Sequence, residues 1–147
     1  MSRARREEGA GVVLVIGFFV VIVLLVAVVV DASAAYLARQ RLTALADSAA
    51  IAAADGVQGE QVYERGLPEP GAGARIRVDP QAARAYVGAH LAASGAAARH
   101  PGLSWSVRTD GDAIVVELRA PFEFPLGVPG VADSTVVGRS SAVVVLD

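Results

Sequence analysis

Residues Ala10–Val30 read AGVVLVIGFFVVIVLLVAVVV, and residues 31–54 continue without a proline as DASAAYLARQRLTALADSAAIAAA. The first stretch carries no charge over 21 residues. At a helical rise of 1.5 Å per residue it is about 30 Å long, the thickness of a bilayer's hydrocarbon core. Ten of these residues are valine, which in water would favour a strand. In lipid a lone segment must satisfy its own backbone groups, so a helix is expected instead. The chain is therefore expected to cross a membrane once near its N-terminus. Gly9, Gly11 and Gly17 do not stand at the four-residue spacing that brings two membrane helices together.

Arg3, Arg5 and Arg6 precede the span, and no base follows it until Arg39. The positive-inside rule then puts the N-terminus in the cytoplasm and the rest outside the cytoplasmic membrane. The alternative is a cleaved secretory signal. The basic start fits one, and Asp31-Ala32-Ser33-Ala34 offers small residues for cleavage. Signal cores, however, run to about 7–15 apolar residues, so an uncleaved anchor is the preferred reading. A formal net charge of −2 speaks against a nucleic-acid partner, which would normally meet a basic stripe. With no cysteine, an outer domain would be held without disulfides.

Beyond Asp31 the pattern becomes amphipathic. Ala35, Ala38, Leu42, Leu45, Ala49, Ala52 and Gly56 follow steps of three and four, a narrow seam of small apolar residues on a good helix former. Arg39, Arg41, Asp47 and Ser48 lie on the other side. The seam could pack on the chain's own domain or on neighbouring copies. Asp55-Gly56 predicts the helix end. The segmentation expected is a basic tail over 1–9, a membrane helix over 10–30, an extension helix over 31–55, a Gly/Pro loop over 56–74 and a small outer domain over 75–147.

Within that domain, residues 75–78 read as a short edge strand. Asp79-Pro80 is a helix start, with Asp as N-cap and Pro in the first turn. The helix it opens is expected to run to about Ala98. After Pro101-Gly102 the period changes to two. Leu103, Trp105, Val107 and Thr109 form one strand face, and Asp110-Gly111 signals a hairpin. Ile114, Val116, Leu118, Ala120, Phe122 and Phe124 then share one face. Val115, Glu117, Arg119 and Glu123 share the other, which reads as solvated. A last strand spans Ser134–Leu146, with Gly138 as a candidate bulge. The fold class is α+β: a long membrane helix with its extension, a second helix, and a small, mainly antiparallel sheet of three or four strands.

No catalytic constellation emerges. His90 and His100 have no carboxylate or cysteine at ligand spacing. No nucleophile-elbow motif and no phosphate-cradling glycine loop stands in a suitable context. Asp31-Ala32-Ser33-Ala34-Ala35 begins like a DxSxS metal motif, but the last Ser is missing and a membrane helix precedes it. Asp31 reads better as the water-side end of the span. A non-enzymatic protein without cofactor or metal is expected.

The order Asp31, Tyr36-Leu37, Arg39, Leu42, then Ala46-Asp47-Ser48-Ala49-Ala50-Ile51-Ala52-Ala53-Ala54, directly after an N-terminal span, resembles the N-terminal module of TadE/TadG-like proteins of Flp (Tad) pilus assembly. The likeness covers about residues 9–54. The remainder is more loosely similar to small actinobacterial members. Two departures stand out. Thr43 replaces a frequent Gln, and no Glu lies five positions after Gly9 or Gly11, where Leu14 and Ile16 stand instead of the residue that prepilin processing uses. The resemblance implies a minor-pilin or pseudopilin-like component of the cytoplasmic membrane. It would pack on other pilus components, and on copies of itself, through the seam of Ala38, Leu42, Leu45, Ala49 and Ala52. The competing reading is a membrane-anchored extracellular binding domain unrelated to pili.

Overall fold

A computed structural model describes residues 4–65, 78–126 and 134–144, with the side chains of the first helix described from Gly11 to Tyr63. Helix α1 is continuous over Ala4–Arg65, 62 residues, or about 90 Å at the helical rise. It is followed by α2 (Pro80–Ala93), a single turn α3 (Ala96–Arg99), and strands β1 (Ser104–Asp110), β2 (Ala113–Phe122) and β3 (Ser134–Val143). The strands form one antiparallel sheet in the order β1-β2-β3. The outer half of α1 lies across β2 and β3, α2 lies beside it over β1, and together they cover one face of the sheet.

The core follows from the alternation of β2. Ile114, Val116, Leu118 and Ala120 are buried against Leu42, Ala46, Ala49, Ala50, Ala53 and Val57 of α1 and Ala83, Val87 and Leu91 of α2. Side chains on one strand face point the same way, so a period of two meets a helical stripe of period 3.6. The stripe on α1 is wider than the predicted seam. Leu42 and Ala49 are inside it, Ala38, Leu45 and Ala52 are half-buried at its border, and Ala46, Ala50 and Ala53 complete it. A helix laid on a sheet and a second helix needs a broad apolar face, whereas a coiled-coil seam is narrow.

Three local expectations are corrected. The helix does not stop at Asp55-Gly56 but runs on to Arg65. Gly within a helix costs about 1 kcal/mol. Here Gly56 admits the ring of Tyr86, which a Cβ would overlap. Val57 is buried one residue on, and Tyr86 Oη donates to Glu60 at 3.3 Å. Tertiary packing thus carries the helix through a local stop signal. The second helix divides instead of running to Ala98. Asp79 caps it by accepting from the Gln81 N–H at 2.9 Å, and Gly95, at φ 65°, ends its path before α3. Gly138 makes no bulge, since it pairs in regular register with Leu118. It lies where α1 crosses β3 so closely that a Cβ would overlap the backbone of Leu42 and Thr43.

The hairpin forms as expected, Asp110 pairing with Ala113 around Gly111, which takes φ 63°. Its tip is held on both sides: the Val78 N–H donates to the Gly111 carbonyl at 3.4 Å and the Val144 N–H to that of Asp112 at 2.9 Å. Within the expected edge strand only Val78 is described. Of the expected loop over 56–74, residues 56–65 belong to α1, and the remainder, like Leu146, lies outside the described residues.

Candidate interaction surface

The largest exposed feature is the span. From Val12 to Val30 the large side chains are 41–73% exposed in the isolated chain. An all-round apolar helix is unstable as a water-facing surface and is matched to lipid. The helix is long and apolar enough to cross a membrane.

Past the span, the motif residues divide into two sets. Asp31, Leu42 and Asp47 serve the chain's own fold. Asp31 is 5% exposed, and its Oδ1 accepts from the Leu126 N–H at 3.0 Å. Leu42 is in the core, and Asp47 Oδ1 accepts from Ser140 Oγ on β3 at 2.8 Å. Tyr36, Leu37 and Arg39 point outward, with Tyr36 68% exposed and Leu37 49%. Ile51, further along α1, is 49% exposed. Tyr36 and Arg39 also line an open groove with Thr135, Val137 and Arg139 of β3. Thus α1 offers a partner two exposed apolar spots and a groove beside β3, an edge strand among the described residues. The predicted seam, by contrast, has Leu42 and Ala49 inside this chain's own core.

The outer sheet face is not uniformly solvated, which corrects the reading of Glu117. Glu117 is 5% exposed. Its Oε1 accepts from Arg119 Nε at 2.8 Å and Nη2 at 2.5 Å, and its Oε2 accepts from Arg139 Nε at 3.0 Å and also from Arg139 Nη2. Arg108 Nη2 stands 3.8 Å away. The hydrogen bonds from Arg139 and then Arg119 hold the Glu117 carboxyl down at about 2. Strand register creates the cluster, because Glu117 lies opposite Arg139 on one side and Ser106 on the other. Only the Arg119 contact, two residues along the same strand, was visible as a spacing.

His90 is half-buried, and its Nε2 lies 3.2 Å from Ser48 Oγ in a cleft that Leu45 and His100 also line. Ser48 also donates to the Leu45 carbonyl at 3.0 Å. No group of three metal-ligating side chains occurs among the described residues. Trp105 is half-buried against the core, with the Arg84 guanidinium 5.1 Å from its ring centre.

The apolar run and the motif residues from Asp31 to Ala54 lie on a helix whose sequence is matched elsewhere. Residues 9–56 match the family model "Putative Flp pilus-assembly TadE/G-like". The matched region contains the span, Asp31, the exposed Tyr36-Leu37-Arg39 and the buried alanine stripe, and it supports a Tad/Flp pilus-related role. It ends at Gly56, before the rest of α1, α2 and the sheet. No curated protein and no solved structure matches the chain.

Proposed function

We propose that this chain is a non-enzymatic, single-pass component of Tad/Flp-type pilus assembly, similar to a minor pilin or pseudopilin. Its N-terminus would lie in the cytoplasm and its α+β head outside the cytoplasmic membrane. The observation that carries this reading is the continuity of α1 through the matched region. One uninterrupted helix joins a lipid-facing span to a packed head. A rigid helix of this kind transmits the position of the span to the head, so subunits held side by side in the bilayer present their heads in a set orientation.

Partner contact is then assigned to what α1 leaves uncovered: Tyr36, Leu37 and Ile51, with the half-buried seam residues Ala38, Leu45 and Ala52 at the border. Apolar side chains left exposed on a folded head are the natural anchors of such an interface. The test is cross-linking and co-purification with other pilus components from the native membrane, comparing the unaltered chain with Tyr36→Ser/Ile51→Ser. Loss of those partners, with membrane insertion and head folding retained, supports the proposal. Unchanged capture overturns the assignment of this face. Capture of sensor or cell-wall proteins, with no pilus component, favours an anchored binding domain unrelated to pili.

A further inference from the structure

The β2 strand and its continuation lead back to the end of the apolar run of α1. Leu118 of β2 pairs with Gly138, which lies against Leu42 and Thr43 of α1. Eight residues later the Leu126 N–H donates to Asp31. Between Leu42 and Asp31 the helix descends about 16 Å toward the span, and from Leu118 to Phe122 the strand advances about 13 Å. The two runs agree, so β2 descends alongside α1, and the Asp31 hydrogen bond holds residue 126 within a few ångströms of the end of the apolar run.

We propose that the Phe122–Leu126 segment is a second membrane contact, with Leu126 and Phe124 seated in the interfacial layer of the bilayer that α1 crosses. This rests on the reading of α1 as a membrane anchor. Leu126 is 55% exposed, and Phe124 packs edge-on against Phe122 with ring centres 5.2 Å apart. Leu126 is hydrogen-bonded to Asp31, the residue that directly follows the exposed Val28, Val29 and Val30, so the lipid that would cover those valines is the occupant at hand. Asp31 fits the same geometry. A carboxylate at the hydrocarbon edge is expensive to strip of water, yet this one is 5% exposed before any lipid is present and already hydrogen-bonded by the chain. Glu123, which is exposed, remains at headgroup level. The head thus rests on the bilayer at two points, and its tilt is set by the second.

The chain has no cysteine, so single-cysteine variants of the full protein can carry one environment-sensitive fluorophore each. Leu126→Cys, Ala32→Cys, Phe19→Cys and Asp110→Cys are reconstituted into phosphatidylcholine/phosphatidylglycerol vesicles containing lipids with nitroxide quenchers at shallow or deep positions. The expected result is shallow quenching at position 126 comparable to that at 32, deep quenching at 19, and none at 110 on the distant hairpin. Adding Asp31→Ala to Leu126→Cys should lower quenching at 126 and leave that at 19 unchanged. If 126 behaves like 110 while 19 is quenched, the second contact is wrong and the anchor stands. If 19 is not quenched, the anchor and the second contact fall together.

Discussion

The two halves of α1 are one helix built under opposite rules. From Val12 to Val30 large apolar residues cover every side and all remain exposed. From Leu42 to Val57 mostly small apolar residues occupy one side and are buried to 0–7% exposure. The first half is the kind of helix that a lipid surrounding would select, because lipid leaves the backbone no other partner. In the second half tertiary contact selects it, because alanines let the helix settle close to a sheet. Bulk in one half and smallness in the other answer two different neighbours.

The sharpest way to break this contrast is the same substitution in both halves. Leu42→Ala should destabilise the head by about 2–5 kcal/mol, the range for emptying a fully buried leucine site. Leu24→Ala, at a position 55% exposed in the isolated chain, should leave head stability unchanged. Denaturation of the two variants in detergent, followed by Trp105 fluorescence, makes the comparison. Equal losses would mean that the halves are not independent in this sense.

Smaller in scale, Gly138→Ala probes how close the second half lies to the sheet. The added methyl would overlap the backbone of Leu42 and Thr43, and forced separation in a packed core costs about 1–3 kcal/mol. The same measurement checks it, and wild-type stability in this variant would show that the helix can lift at no cost.

The smallest effect is expected at Glu117, outside both halves. Its carboxyl is lowered from the ordinary 4.5 to about 2. A lowered folded-state value stabilises the fold above pH 4.5, and that contribution fades as pH falls from 4.5 toward 2. The three arginines are largely solvent-exposed, so screening keeps the effect modest. Acid titration of head stability should therefore be shallower in Glu117→Gln than in the unaltered chain. Parallel profiles would remove the cluster from the pH response.

Much of the architecture was legible because its signals are local. The charge-free run, the Asp79-Pro80 cap and the alternation around Asp110-Gly111 each act within a few residues, and each appears where it was read. Signals that depend on a distant partner were misread or missed. Asp55-Gly56 is a reasonable stop in isolation, but Tyr86 packs against it from another helix. Glu117 looked solvated because Arg139 reaches it only once β2 and β3 are paired in register. The reading of Asp31 as the end of the span is untouched, but the hydrogen bond it accepts from a residue 95 positions away had no local sign. The exposure of Tyr36 and Leu37 beside a buried Leu42 likewise had no local sign, since any side of an alanine-rich helix can be the inner one.

Residue order alone was enough for the long apolar helix, the element types and the motif that resembles a pilus-assembly module, because apolar length, capping and strand alternation depend on near neighbours and on solvent. Folding in three dimensions was needed to assign the sides of α1, to carry it past Gly56, to gather three arginines on Glu117 and to bring Leu126 down to Asp31. Each of those requires two segments distant in the chain to meet, and the energy of their meeting outweighs the preferences of either segment alone.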